Sequence, residues 1–196
     1  MPHGSRRFDI DDFIGDCLAA WGEGGPEAVK EVLRCALTDT RSVQERFGEP
    51  QCAGLQVLYA GPEMVIENMV WAPRMSYPPH DHRTPVMTGV YAGIEVNEFF
   101  HKGTGSAVAR LIPDETVVIG EGDAVLMAHD AIHGIANPDE RRFTGAFHIY
   151  MGDYLHSTRS IWYPDVTSEC PASLALTEDI FAAANRELVL GRELGY

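Results

Sequence analysis

Apolar positions change their period twice along the chain. Phe13, Cys17, Leu18 and Trp21 recur at helical spacing. After the glycine-rich stretch 22–25, Pro26 opens a second set, Val29, Val32, Leu33 and Leu37, along one side. Residues 8–47 are therefore expected to be helical. From residue 55 to 151 the pattern becomes short apolar or alternating runs at 55–60, 64–71, 86–91, 94–100, 107–112, 116–119, 124–127 and 143–150. Turn formers separate them: Gly61 and Pro62, Pro78 and Pro79, Gly103 and Gly105, Pro113 and Asp114, Gly120 and Gly122, Asn137 and Pro138. Many short strands at this spacing predict an antiparallel sandwich or barrel. The stretch 154–165 reads as aromatic and irregular. A terminal helix follows, with Ile180, Phe181, Ala184 and Leu188 on one face. The expectation is one mainly β domain over residues 1–196: helical extension 8–47, barrel 55–151, and a tail with a C-terminal helix at 152–196.

Composition narrows the functional classes. The 196 residues are 45% hydrophobic and 22% charged, the mixture of an ordinary folded protein. A net charge of −14 disfavours phosphate backbones and anionic membrane surfaces as partners. No apolar run approaches the ~18 residues of a membrane span, and Arg6 and Arg7 precede no apolar signal region. A cytoplasmic location is expected. Cys17, Cys35, Cys52 and Cys170 form no CxxC pair. Cys17 and Cys35 fall on apolar helix faces, where a free thiol behaves as a small hydrophobe.

Three of the eight histidines sit where a metal site needs them. His80 and His82, in Pro78-Pro79-His80-Asp81-His82, are two apart, so on a strand both imidazoles share a face. His133 follows about fifty residues later, between Gly122 and Asn137. His129 shares its parity but lies four residues away, and His3, His101 and His156 read as terminal, surface or loop residues. Glu95 and Glu98 take opposite strand faces, so at most one points inward.

These residues resemble the two motifs of the cupins. His80, His82 and Gly93 follow the first motif, one residue short of its usual count. Gly122, His133 and Asn137 follow the second, with Ala128 and Asp130 at its proline and glycine positions. The first motif's glutamate ligand would fall at Val86 or Met87, neither of which offers an oxygen. Three neutral imidazoles remain as ligands, His80, His82 and His133. Such a set suits iron, zinc, copper or nickel better than magnesium or calcium. It also leaves the ion's charge uncompensated, which favours an anionic ligand such as a thiolate.

This arrangement resembles that of thiol dioxygenases of the cysteine-dioxygenase type. Trp71 precedes His80 by nine residues, a spacing shared with that group. Ala146-Phe147-His148-Ile149-Tyr150 is similar to its Ser-x-His-x-Tyr element. The resemblance implies a cupin double-stranded β-helix holding Fe(II), with Ni or Zn as alternatives. Tyr150 would donate a hydrogen bond at the metal, supported by His148. Two features are missing. Ala146 replaces the serine, so His148 needs water or backbone to orient it. Gly61 stands near the position of the arginine that clamps an amino-acid carboxylate, so cysteine itself is not the expected substrate. Arg74, Arg159, Met87 and Trp71 are the candidates to contact substrate. The tail, with Gly152-Asp153-Tyr154 and Arg159-Ser160-x-Trp162, resembles uncharacterised metal-dependent double-stranded β-helix proteins related to that group.

The leading expectation is an iron(II)- and dioxygen-dependent oxidation of a small thiol to a sulfinate. Two alternatives stay open: a three-histidine cupin with another reaction, such as carbon–carbon cleavage, and a non-catalytic cupin that binds a metal or ligand. The expected partners are a small molecule and O2, without nucleic acid or membrane. The cupin resemblance also implies pairing into a homodimer.

Overall fold

The computed structural model describes residues 7–103 and 110–194. Helix α1 (Ile10–Leu37) starts at Asp9, whose carboxylate accepts from the backbone N–H groups of Asp11 and Asp12 at 3.0 and 3.1 Å. The two helical segments expected from the sequence run together, bent where Gly25 takes φ 64° and Pro26 restarts the turn. Helix α2 (Thr40–Phe47) follows.

The strands are β1 (Gly54–Ala60), β2 (Met64–Trp71), β3 (Ser76–Asp81), β4 (Val86–Ala92), β5 (Ile94–Lys102), β6 (Leu111–Gly120), β7 (Ala124–Met127), β8 (Ile132–Ala136), β9 (Thr144–Met151), β10 (Ser160–Trp162) and β11 (Glu169–Pro171). Helix α3 (Leu174–Leu194) ends the described chain. The strands form two antiparallel sheets, ordered β1-β2-β9-β4-β7 and β11-β10-β3-β8-β5-β6. The fold is mainly β, a jelly-roll barrel with two helices before it and one after. The expected strand at 107–112 lies partly outside the described residues. Its described end joins 116–119 in β6, which runs through Pro113.

The five-stranded sheet is covered on both faces, which is why β2 and β9 read as nearly continuous buried runs. On its outer face Met64, Ile66, Met87, Phe147, Ile149 and Met151 pack against Phe13, Cys17, Val29, Leu33 and Leu37 of α1. The alternate residues face the barrel interior. Register places Val65 and Val86 beside Tyr150, and Glu67 and Thr88 beside His148. A second cluster forms where α3 closes the other side. There Phe181, Ile180, Ala184 and Leu188 meet Trp71, Tyr77, Ile135 and Ile161. Asn185 fixes the helix by a two-way pair with the Ala53 backbone, at 2.7 and 2.9 Å.

All four cysteines are free thiols. Cys17 is buried, and burial pushes its thiol up to about 12, so it stays protonated. Cys35 departs from expectation. It is exposed, because it lies two residues from both Leu33 and Leu37 and so on the opposite side of α1 from the buried row Val29, Leu33 and Leu37. Among the described residues, no helix is long and apolar enough to cross a membrane.

Candidate metal centre

The two prolines before His80 set the local geometry. Proline cannot donate to a ladder, and the β3–β8 register shifts between Tyr77 and His80 across Pro78 and Pro79. Beyond that shift His80 pairs with His133 of β8, and His82 follows the end of β3. The three imidazoles converge. His80 Nε2 and His82 Nε2 are 2.9 Å apart, and His82 Nε2 and His133 Nε2 are 3.4 Å apart. One ligand atom from each ring lies within 4.8 Å of the others, and no carboxylate or thiol joins the group among the described residues.

In two of the three rings the other nitrogen explains why Nε2 carries the lone pair. His80 Nδ1 donates to the Pro78 carbonyl at 3.0 Å, and His133 Nδ1 donates to Asn97 Oδ1 at 2.6 Å. His82 Nδ1 is buried without a partner. Burial lowers the pKa of all three: His80 to about 4, His82 and His133 well below the ordinary value, with the neighbouring imidazoles adding to the effect on the latter two. Three neutral rings therefore bring their Nε2 atoms to one point, and the Nδ1 hydrogen bonds of His80 and His133 leave the lone pairs of those two rings facing it. Imidazole nitrogens ~2.0–2.1 Å from one ion, at angles from square to tetrahedral, stand about 2.8–3.4 Å apart. The donor set and spacing fit a divalent transition metal.

Tyr150 lies beside this group, its ring centroid 5.3 Å from that of His82, and stacks on Tyr154 at 3.9 Å. Burial, together with the Tyr154 and Glu67 charges, pushes its pKa well above the ordinary value, so it is a hydroxyl donor across the physiological range. Arg159 covers the outer face of Tyr154, its guanidinium carbon 3.9 Å from the ring centre. Its Nε is buried and unpaired. The Arg159 charge reaches His80, His82 and Glu67.

The orientation of His148 differs from expectation. Neither water nor backbone is needed, because His148 Nε2 meets the carboxylate of Glu95 at 3.1 Å. Glu95 is fully buried on β5 and also accepts from Trp71 Nε1 at 2.7 Å and Asn97 Nδ2 at 3.0 Å. Burial pushes its carboxyl up, but the His148 charge and these hydrogen bonds outweigh that and leave it below its usual range. Glu67 faces inward next to His148. Burial raises its pKa, against the opposing pull of His148, Tyr150 and Arg159.

Three of the expected substrate contacts, Trp71, Met87 and Arg74, are engaged elsewhere in the structure. Trp71 is buried, its N–H spent on Glu95 and its ring stacked on Phe181 at 5.5 Å. Met87 has the outward parity on β4 and packs against the helices, while Val86 faces inward next to Tyr150. Arg74 is 65% exposed and pairs with Glu140 at 3.0 Å, beyond the end of β3 opposite His80. His129 and His101 are exposed, and His156 pairs with Asp153 at the surface. His3 lies outside the described residues.

Sequence reasoning missed Glu67, Asn97 and Tyr154. Asn97 carried a signal, since it sits two residues after Glu95 on the same strand and so shares its face. The second-motif Asn137 has a structural task. Its amide donates to the carbonyls of Trp71, Ala72 and Arg142, tying together the loops beneath the site.

The structure is a two-sheet antiparallel jelly-roll barrel that carries a three-histidine group. No protein-family model matches the sequence, and no curated protein matches it. Solved structures similar in fold include the DMSP lyase DddQ from Ruegeria pomeroyi, 18% identical over 58% of this chain and 53% of that one, with a TM-score of 0.44. This chain thus spans about half of the lyase's length. A cupin superfamily protein from Desulfitobacterium hafniense is 13% identical over 54% of this chain and 83% of that one, with a TM-score of 0.42. A cupin from Methanocaldococcus jannaschii is 11% identical over 54% and 85%, also with a TM-score of 0.42.

Proposed function

We propose that the protein is an iron(II)-dependent oxidoreductase that converts a small-molecule thiol and dioxygen into a sulfinate, with His80, His82 and His133 as the metal ligands. The observation that carries this reading is the convergence of three neutral Nε2 atoms with no carboxylate among them. A bound ion keeps its full charge in such a site, which favours a thiolate over a neutral ligand. The metal would supply a common binding point for sulfur and dioxygen and a path for electrons between them. The reaction balances as R–SH plus O2 giving R–SO2H. Both oxygen atoms enter the product, sulfur loses four electrons, and no external reductant is needed.

The chain's own residues handle protons and orientation. The Tyr150 hydroxyl, on a ring beside His82 and hydrogen-bonded with Glu67 and Tyr154, keeps its proton and would donate to a ligand at the centre. Glu67, beside Tyr150 and His148, is the candidate base for a proton released by the thiol. Arg159 keeps an unpaired, buried Nε and is the candidate to hold an anionic group on the substrate. Val65 and Val86 pack against Tyr150 and shield its ring from water.

Oxygen-electrode assays of iron-loaded protein against a panel of small thiols test the proposal. Uptake of one O2 per sulfinate formed is expected with at least one of them. Absence of uptake across the panel by iron-loaded protein, or carbonyl products without sulfinate, would overturn it.

A further inference from the structure

Glu95 belongs to a buried hydrogen-bonded chain that the proposed reaction does not use. Its Oε2 accepts from Trp71 and His148, and its Oε1 accepts from Asn97 Nδ2. Asn97 in turn presents Oδ1 to His133 Nδ1 at 2.6 Å. An ionised carboxylate can only accept. Asn97 must therefore turn its amide nitrogen toward Glu95, which leaves its carbonyl oxygen facing His133. A carbonyl oxygen can only accept as well. The His133 proton is thereby held on Nδ1, and the lone pair is left on Nε2, the atom 3.4 Å from His82 Nε2. The same rule places a proton on His148 Nε2.

We propose that Glu95 is a positioning residue that sets the tautomer of His133 through Asn97 and that of His148 directly. One buried carboxylate thus readies the third imidazole for an ion and fixes a proton on His148, whose ring centroid lies 6.3 Å from that of Tyr150. The device needs both links, because an amide alone can flip and satisfy either tautomer. It also gives His133 a more basic Nε2, since negative charge behind a ligating imidazole strengthens it as a donor to metal. The inference rests on reading the three histidines as a metal centre, and it does not depend on the thiol reaction.

Cobalt(II) titration of the whole protein, followed by its visible absorption and by chelator competition, tests the proposal. Glu95→Gln places a donor where only acceptors fit and frees the Asn97 amide to flip. Its cobalt affinity should fall about 10- to 100-fold. The double variant Glu95→Gln with Asn97→Asp reverses the polarity of the pair. The new amide donates, the new carboxylate accepts from His133, and most of the lost affinity should return. Unchanged affinity in the single variant, or no recovery in the double one, would overturn the proposal. A measurement on the unaltered protein guards against misfolded variants. Long-range proton–nitrogen NMR of the metal-free protein should show His133 protonated at Nδ1 and His148 at Nε2, and the opposite tautomer at His133 would refute the idea. Wild-type protein that binds no cobalt would instead defeat the metal-centre reading, while the NMR result would still judge the tautomers.

Discussion

Tyr150 is the side chain whose removal best separates chemistry from architecture. Its ring packs between Val65, Val86 and Tyr154, with its centroid 5.3 Å from that of His82. Tyr150→Phe keeps the packing and deletes the donor. Metal content should stay at the wild-type level while turnover falls about 100-fold, the scale of a positioned proton donor. Metal analysis and steady-state kinetics check this, and unchanged turnover would return Tyr150 to a packing role. At this scale the sequence carried much of the site. The spacing of His80 and His82 and the placing of His133 before Asn137 pointed to the imidazoles that the fold brings together. What it hid was parity across a bend or a turn. Val86 and Met87 are adjacent, and only the pairing of Val86 with Tyr150 decides which one faces the barrel interior. The orienter of His148 was hidden for a related reason, since Glu95 lies 53 residues away and meets it only through the closure of two sheets.

Strands carry these residues, and their connections fix which way each one faces. Gly93 makes the corner between β4 and β5 with φ 76°, and a Cβ there would sit 2.9 Å from the Phe143 carbonyl oxygen and from Thr144 Oγ1. Gly93→Ala is expected to cost about 1–3 kcal/mol, from left-handed strain and the backbone contact. Urea unfolding measures it, and a loss within experimental error would show that the corner can relax. The elements missed from the sequence share one cause, because short strands with turn-forming residues lack a clear period. β3 contains Pro78 and Pro79, β8 contains Gly134, and β10 and β11 are three residues each. β6 runs through Pro113 because it is an edge strand, where one row of N–H groups has no ladder partner to lose. The helix pattern at 8–47 and the amphipathic face of α3 were legible because long periodic segments average out single exceptions.

The molecule as a whole stores three uncharged imidazoles inside a strongly acidic chain. In the unfolded chain these histidines titrate near ~6.5. In the fold burial lowers His80 to about 4 and holds His82 and His133 well below the ordinary value. Between those values the unfolded chain binds more protons than the folded one, so folding stability falls as pH drops from about 6.5 toward 4. Glu67 acts in the opposite sense. Its raised carboxyl contributes fully at low pH and loses its contribution as pH rises. With three rings against one carboxylate, metal-free protein should have a lower thermal midpoint at pH 5 than at pH 7. Calorimetry at both values checks the sign, and an equal or higher midpoint at pH 5 would show that the rings are not held neutral.

The claim that three histidines meet at one ion is open to direct observation. Crystals grown with cobalt(II) or iron(II), measured at the absorption edge of the metal, should show a single anomalous peak about 2.0–2.2 Å from the Nε2 atoms of His80, His82 and His133. A peak bound instead by the Glu67 or Glu95 carboxylate, or no peak among the three rings, would contradict the account.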